Sequence, residues 1–297
     1  MKRLISCFAS DFAAMTPQEL KNAIFASAGR SVMGETIVAF EPLMRELTNA
    51  EVACAFGADM ILLNFYDTLR PAILGLPGMP ENPIAALKQL IGRPVGINLE
   101  PVGNGRALEA INRLPPGRCA SRETFEAAQR QGADYICLTG NPGTGVTNDA
   151  IEEAVQLCRS YFSGLIIAGK MHGAGVDEAV FDLGALIRFI KAGADIILIP
   201  APGTVPGVTE QDAASAVRAI HQNGALALSA IGTSQESADA ATIREIALSC
   251  KRAGVDIQHI GDSAACGMAD PENILTLSIA IRGKRHTVFR MASSVQR

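Results

Sequence analysis

Short apolar segments alternate with longer amphipathic segments along most of the chain. Four of the apolar segments follow the same junction, in which a glycine, then an alanine or valine, then an aspartate come directly before the segment. These junctions are at 57–59, 132–134, 193–195 and 254–256. Glycine at such a place can adopt the left-handed conformation that ends a helix. Each junction therefore predicts a helix that is followed at once by a strand.

The spacing of the junctions predicts a repeated strand-helix unit. Their glycines lie 75, 61 and 61 residues apart, and each interval has room for one further strand and helix, or roughly 30 residues per unit. The predicted strands are 35–41, 60–65, 95–100, 135–139, 165–170, 196–200, 226–231 and 257–261. The predicted helices are 48–57, 84–91, 121–132, 148–161, 182–192, 209–222, 237–253 and 271–281. This order predicts an α/β fold, a (βα)8 TIM barrel, with an open doubly wound sheet as the alternative.

The length of 297 residues suits one barrel domain. We expect an N-terminal extension at 1–33, the barrel at 34–283 and a tail at 284–297. The extension contains a predicted helix at 17–28 that we expect to brace the bottom of the barrel. The basic residues near the end are expected to form a solvated face or an oligomer contact; they are Arg282, Lys284, Arg285 and Arg290.

Composition narrows the choice of partner. The net charge is −4 and only 5% of the residues are aromatic, which gives no electrostatic or stacking surface for nucleic acid. No apolar run reaches the length of about 18 residues that a membrane helix needs, and the start lacks the pattern of a signal peptide. We therefore expect a cytoplasmic protein that binds a small metabolite, has no membrane or nucleic-acid partner and forms a homo-oligomer.

Candidate chemistry lies at the carboxyl ends of the strands, where barrels of this class carry their active sites. In strand three, period-two alternation places Gly96, Asn98 and Glu100 inside the barrel. The same argument assigns Glu41, Asn64, Thr139, Lys170, Ser229 and Asp262 to the ends of other strands, with His172 sharing the parity of Lys170. Buried charges are costly unless they are used or paired, so Lys170, Glu100, Glu41 and His172 are the catalytic candidates. The alternative is that these side chains only satisfy backbone groups of the loops.

Three loops rich in small residues suit an anion, because their backbone N–H groups can approach a phosphate closely. One contains Gly232, Thr233 and Ser234. Another, at 261–267, begins with Gly261, Asp262 and Ser263, and the third, at 140–145, contains Asn141. Two longer connections rich in proline and glycine, at 66–83 and 101–121, are predicted to be lids or binding loops.

Two of these segments resemble known barrels. The sequence AIGTSQESADA at 230–240, with the loop at 261–267, resembles the phosphate-binding group of (βα)8 barrels. The segments PVGINLE at 94–100 and TGNPGTG at 139–145 are similar to the BtpA-like barrels, a bacterial family. The first resemblance implies a phosphate site after strands seven and eight. Neither resemblance transfers a catalytic residue.

Three functions remain open at this stage. In the leading hypothesis the protein is a lyase or isomerase that acts on a small phosphorylated carbonyl compound or sugar phosphate, with Lys170 as a Schiff-base lysine and Glu41 or Glu100 moving protons. In the second, Glu41 and Glu100, with His172 or Asp262, hold Mg2+ or Mn2+ for a lyase or hydrolase reaction. In the third, the barrel binds a metabolite without catalysis. The cofactor is thus either none or a divalent metal, and the histidines His221, His259 and His286 receive no role.

Overall fold

Eight parallel strands pair in chain order, and the last pairs with the first, so the sheet closes into a barrel. The structure is a computed structural model that describes residues 2–78, 80–102 and 114–297. The strands are β1 Ser31–Ile37, β2 Met60–Asn64, β3 Val95–Leu99, β4 Tyr135–Leu138, β5 Leu165–Gly169, β6 Ile196–Pro200, β7 Leu226–Ile231 and β8 Ile257–Ile260. The predicted (βα)8 barrel is confirmed.

Helices precede the barrel and alternate with its strands. The helices in the described residues are α1 Ala9–Ala14, α2 Pro17–Ala26, α3 Asn49–Ala55, α4 Pro83–Ile91, α5 Arg122–Gln131, α6 Asn148–Tyr161, α7 Leu183–Ala192, α8 Glu210–Gln222, α9 Ala240–Ala253 and α10 Pro271–Ala292. In the ranges that the structure describes, none of them is both long and apolar enough to span a membrane. The predicted binding loop at 101–121 lies partly outside the described residues.

The first strand is the one that the sequence misplaced. β1 is Ser31–Ile37 rather than 35–41, so the barrel begins inside the predicted extension and Glu41 lies in an exposed loop beyond the strand. The apolar run at 37–40 favours a strand there, although it lies almost wholly beyond β1. Within β1 itself, Gly34 and Glu35 interrupt the apolar pattern. The prediction that Glu41 closes the first strand is therefore wrong.

The four repeated aspartates join neighbouring strands as well as following helix ends. Each side chain accepts a hydrogen bond from a backbone N–H of the preceding strand, and the backbone N–H of the aspartate donates to the carbonyl of that same residue. The side-chain bonds run to Asp59 from Val32 (2.8 Å), to Asp134 from Val95 (2.8 Å), to Asp195 from Ile166 (3.1 Å) and to Asp256 from Ala227 (2.8 Å). The junction thus fixes the register at the entry of each even-numbered strand.

The N-terminal extension closes the bottom of the barrel, as predicted. Leu20 and Ile24 of α2 are buried in the same apolar cluster as Met33 of β1 and Met60 of β2. The cluster also contains inward-facing residues of β5, β6 and β7. The lower barrel is therefore a packed core, and open space is left at the other end.

Two of the four basic residues near the end of the chain are buried, contrary to prediction. Arg282 and Arg290 of α10, whose helix is kinked at Gly283, both reach Asp59 at the bottom of the barrel. Nε of Arg290 lies 2.6 Å from Oδ1 of Asp59, and Nη1 of Arg282 lies 2.5 Å from Oδ2. All three side chains are fully buried. The predicted solvated face therefore holds only for Lys284 and Arg285, which are exposed.

Candidate active site

A cavity of about 420 Å³ opens at the carboxyl ends of the strands. Loops after β4, β5, β7 and β8 form its rim, and polar side chains from inside the barrel form its wall. The side chains that give the wall its chemistry are Glu35, Asn64, Asn98, Thr139, Asn141, His172, Glu236 and Asp262. A cleft of this size at this end of the barrel is the expected place for an active site.

Glu35 is an acidic side chain inside the barrel, and the sequence did not point to it. It follows Met33 on the inward side of β1 and is 3% exposed. Nδ2 of Asn98 donates to its Oε1 atom over 2.6 Å. Burial and the negative charge of Glu236 raise the pKa of Glu35 to about 8. Glu35 is therefore mainly a protonated carboxylic acid at neutral pH.

His259 faces Glu35 from β8. Its Nε2 atom lies 3.1 Å from Oε2 of Glu35, and the ring is completely buried. Burial lowers the pKa of His259 to about 4, although the charges of Asp262 and Glu236 act in the opposite direction. The contact is therefore not an ion pair at neutral pH. It places a carboxylic acid beside a neutral imidazole, and neither ring nitrogen of His259 has a hydrogen-bond partner in the described residues.

A network of two amide side chains links Asp262, on the cavity wall, to Glu100, just after β3. Nδ2 of Asn64 lies 2.9 Å from Oδ2 of Asp262 and 3.1 Å from Oδ1 of Asn141. Burial, followed by the charge of Glu35, raises the pKa of Asp262 well above its usual range. Asn141 in turn donates from Nδ2 to Oε1 of Glu100 over 2.9 Å. Asn64 and Asn141 therefore hold two carboxyl groups in fixed positions.

Glu236 joins the loops that follow β7 and β8. Its Oε1 atom accepts from the backbone N–H of Ser263 over 2.8 Å and from the Ser263 hydroxyl. Its Oε2 atom is buried and has no hydrogen-bond partner in the described ranges. One oxygen of Glu236 therefore fixes the loop, and the other is left for a ligand. The sequence reasoning missed Glu236 because a glutamate in a loop carries no strand parity.

The three loops predicted to suit an anion all border the cavity. In the loop after β7, Thr233 and Ser234 have positive φ angles of 57° and 69°, which are costly for residues with a Cβ atom. Their backbone N–H groups have no acceptor within the part of the chain that the structure describes. Such strained backbone is concentrated at functional sites, and here it presents two free N–H groups next to the cavity. That these loops bind an anion stays a prediction.

Most of the predicted binding residues meet at this cavity. Those that line it are Asn64, Asn98, Thr139, Asn141, His172, Gly232, Thr233, Ser234, Gly261, Asp262 and Ser263. His172 accepts from the backbone N–H of Ala174 at its Nδ1 atom over 3.0 Å. Burial, together with the charge of Lys170, lowers the pKa of His172. It is thus a second neutral imidazole at the rim.

Lys170 does not line the cavity. It has the parity of Ile166 and Ala168, which face the helices, and its Nζ atom lies 2.5 Å from Oε2 of Glu178. The same oxygen accepts from the backbone N–H of Asn148 at the start of α6 over 2.9 Å. Lys170 therefore fastens the loop after β5 to α6, and its predicted place in the barrel mouth is wrong.

Three other predicted residues also lie off the cavity. Glu41 is exposed, as noted above. Ser229 faces outward, and its hydroxyl is 3.4 Å from Oε1 of Gln258 on the neighbouring strand. Glu100 is buried inside the barrel but is paired with Nη2 of Arg118 at 2.9 Å and supports Asn141. Ser229 was expected to face inward, and that prediction is wrong.

The predicted metal ligands do not form a metal-binding group. Within the described residues, no three histidine, cysteine, aspartate or glutamate side chains are arranged to coordinate an ion. Glu41 is exposed in its loop, whereas Glu100 is buried and already neutralised by Arg118. The residues present therefore do not fit the Mg2+ or Mn2+ site that was predicted from them.

Comparisons with known proteins identify the family and the fold. Residues 5–297 match the model of the family described as a domain of unknown function, DUF7916. A search of curated protein sequences found no match. The crystal structure of 2,3-dimethylmalate lyase, a member of the PEP mutase/isocitrate lyase superfamily, superposes with a TM-score of 0.51 at 13% identity over 84% of this chain and 81% of that one. Oxaloacetate acetylhydrolase, in complex with 3,3-difluorooxalacetate, gives 0.49 at 15% identity over 93% and 85%.

At these identities the likeness to solved structures shows the shared barrel fold alone. The comparisons do not confirm the resemblance to the phosphate-binding barrels or to the BtpA-like family. The chemistry of this chain therefore has to be argued from its own cavity.

Proposed function

We propose that this chain, which belongs to the DUF7916 family, is an enzyme of lyase or isomerase type that transfers protons on a small carbonyl compound in the mouth cavity. The observation that carries the proposal is the protonated Glu35 on the cavity wall, which accepts a hydrogen bond from Asn98 and lies 3.1 Å from the neutral His259. A carboxyl group with a pKa near the working pH is the kind of group that general acid–base catalysis uses.

The cavity offers both partners that such a reaction needs. In a cleavage reaction, a hydroxyl next to the bond that breaks loses its proton and becomes a carbonyl, and the leaving carbon fragment forms an enolate that is then protonated. Oε2 of Glu236 is a free acceptor for the first proton, and Glu35 can supply the second. In an isomerisation the same two groups would remove a proton from one carbon and return it to the next.

Negative charge on the substrate oxygen can be met by hydrogen-bond donors of the rim. The backbone N–H groups of Thr233 and Ser234 are free in the described residues. Fixed donors of this kind stabilise developing charge without reorganising during the reaction. The mechanism requires neither Lys170 nor a metal ion.

Hydrogen exchange at carbon tests this function. The protein is incubated in D2O with a panel of small aldehydes and ketones, and proton NMR follows deuterium uptake beside the carbonyl and any cleavage product. We expect turnover with at least one compound and a loss of about 100-fold or more in Glu35→Gln, in line with the usual contribution of a general acid. Glu245→Gln, an exposed glutamate on α9, is the matched control.

Two other results would replace the proposal. Saturable binding without exchange or cleavage for any compound would favour the non-catalytic, metabolite-binding barrel. Activity that EDTA abolishes and Mg2+ or Mn2+ restores would favour the metal-dependent alternative. Unchanged turnover in Glu35→Gln would remove Glu35 from the reaction.

A further inference from the structure

We propose that the substrate is a neutral polyhydroxylated carbonyl compound, such as an unphosphorylated sugar, whose hydroxyl groups donate to the inner wall of the cavity. This inference rests on the proposed function for the reaction. The class of ligand follows from the side chains of the cavity wall alone.

Three buried side chains on that wall lack a hydrogen-bond partner. They are Glu236 at Oε2, Asn98 at Oδ1 and Thr139 at Oγ1, and none of the three residues is more than 4% exposed. None of these three atoms has a partner among residues 2–78, 80–102 and 114–297. Buried polar atoms are almost always paired in folded proteins, because an unpaired one loses its hydration without compensation. Three unpaired atoms around one cavity therefore indicate groups that a ligand completes.

The unpaired atoms specify the kind of group that the ligand brings. An amide oxygen and a carboxylate oxygen can only accept, and a threonine hydroxyl can accept as well as donate. Because Asn98 lies on β3, Thr139 at the end of β4 and Glu236 after β7, the acceptors come from different sides of the barrel. One donor group could not reach all of them. A molecule with several hydroxyl groups matches the set.

Within the described residues, the cavity has no side-chain cation that could balance a phosphate. Glu35, Glu236 and Asp262 all line it, and no lysine or arginine does so in the ranges described. Arg118 and Lys170, the basic groups near the strand ends, are already paired with Glu100 and Glu178. A phosphate dianion at the loops after β7 and β8 would lie beside carboxyl groups with no described cation to balance it. The free N–H groups of Thr233 and Ser234 suit a carbonyl oxygen instead.

The same acids do not favour a cationic ligand strongly. Burial keeps Glu35 protonated at neutral pH and acts in the same direction on Asp262, so the wall carries less charge than its composition suggests. A neutral donor such as a hydroxyl group fits a wall of carboxyl and amide groups. A cavity of about 420 Å³ is also large enough for a small sugar.

Ligand-observed NMR titration tests the class, since it detects the weak affinities that single sugars show. The probes are neutral aldoses and ketoses of four to six carbons, with two matched pairs: D-ribose against ribose 5-phosphate, and D-glucose against glucosamine. We expect at least one neutral sugar to bind saturably and ribose 5-phosphate to bind at least 10-fold more weakly than ribose. Glucosamine should not bind more tightly than glucose.

Two variants report on the wall itself. Glu236→Gln keeps the shape but turns one acceptor position into a donor, and Thr139→Val removes the hydroxyl without changing the volume; each should weaken the neutral sugar about 10-fold or more. Glu245→Gln should bind as the parent does. If Glu236→Gln does not fold, as judged by circular dichroism, Thr139→Val decides.

The proposal is overturned if no neutral sugar binds saturably, if ribose 5-phosphate or glucosamine binds more tightly than its neutral partner, or if the folded variants bind like the parent. Failure of catalysis is a separate outcome. A sugar that binds through Glu236 and Thr139 without exchange in D2O would support the ligand class and contradict the proposed reaction.

Discussion

His259 and Glu35 lie 3.1 Å apart, Nε2 to Oε2, and neither side chain is charged at neutral pH. Taking a lone charge out of water is expensive, so a buried titratable group adopts its neutral form unless a counter-charge holds it. The negative charge of Glu236 acts in the same direction on Glu35. Glu35 therefore loses its proton as the pH rises through about 8, whereas His259 gains one only near pH 4.

The first prediction is a loss of stability between pH 6.5 and 8 that depends on Glu35. The pKa of Glu35 is raised from 4.5 to about 8 by folding, so in this range the folded state holds a proton that the unfolded state has released. Stability then falls as pH rises, by up to about 1.4 kcal/mol per pH unit. Glu35→Gln mimics the protonated acid and should remove this part of the slope. Urea unfolding at several pH values measures it.

His259 gives the opposite dependence at lower pH. Its pKa falls from 6.5 to about 4 on folding, so the unfolded state binds a proton first and stability is lost as pH falls from 6.5 toward 4. Between 4.5 and 6.5 the two groups oppose each other, which is why the range above 6.5 isolates Glu35. Asp262 changes the stability in the same direction as Glu35. The effect of Glu35 is therefore measured as the difference between the parent and Glu35→Gln in how the free energy of unfolding changes with pH. Parallel curves for the two proteins would contradict the assignment.

The barrel could be predicted from the sequence because its signals are local and repeated. A glycine that ends a helix and an aspartate that joins two strands recur four times, and seven of the eight strands lie within one residue of their predicted bounds. Inward-facing residues could be predicted only where polar residues mark one face, as in β3 with Asn98 and Glu100. β5 and β7 are apolar on both faces, as is usual for strands that are buried on both sides. The pattern therefore did not show which face points inward, and Lys170 and Ser229 were assigned to the wrong face.

Glu35 and His259 were not predicted as site residues, because the feature that makes them unusual also hides them in the sequence. Glu35 and His259 are polar side chains in the middle of buried strands, where sequence patterns favour apolar residues. The polar Glu35 therefore obscured the true bounds of β1, and His259 received no role because its neighbour on β1 had not been identified. Local rules fail most often at functional sites, where a fold tolerates groups that its packing alone would reject.

The second prediction concerns Lys170, which we expect to act through the loop after β5 and not as a Schiff-base residue. Borohydride reduction with any substrate carbonyl should leave Lys170 unmodified in peptide maps. Lys170→Met removes the cation that holds Glu178 and should speed amide hydrogen exchange at 171–178. Lys191→Met, an exposed lysine at the end of α7, is the control. A reduced adduct on Lys170 would restore the original hypothesis.

The third prediction compares two of the repeated aspartates. Asp59 is fully buried and forms ion pairs with both Arg282 and Arg290, whereas Asp134 pairs with Lys88 at the edge of the barrel, where both side chains are partly exposed. Asp59→Asn leaves two buried guanidinium groups without a counter-charge and should cost about 3–5 kcal/mol in free energy of unfolding. Asp134→Asn should cost about 1 kcal/mol, because water compensates the lysine. Chemical unfolding of both variants gives the comparison, and equal losses would show that the ion pairs do not set the difference.

The fourth prediction concerns Gly96, which lies two residues before Asn98 on the inward side of β3. A Cβ atom at this position would lie 2.0 Å from Cδ2 of Tyr135, a fully buried ring whose hydroxyl donates to the carbonyl of Ile61 over 2.6 Å. The ring and every residue of β3 are buried, so neither can move without displacing its neighbours. Gly96→Ala should therefore destabilise the protein by about 1–3 kcal/mol.

The same substitution should also reach the active site. Because Gly96 and Asn98 lie on the same strand, a displaced β3 should lengthen the hydrogen bond from Asn98 to Glu35 and lower turnover in the exchange assay beyond what lost stability explains. Gly173→Ala is the control for added volume, since its nearest neighbour is the carbonyl oxygen of Val176 at 3.5 Å. Thermal unfolding and exchange rates measured well below the melting temperature separate the two effects. A Gly96→Ala protein as stable as the parent would mean that Tyr135 can leave its place in the core, and its hydrogen bond to Ile61 would then not be needed to hold β2 and β4 together.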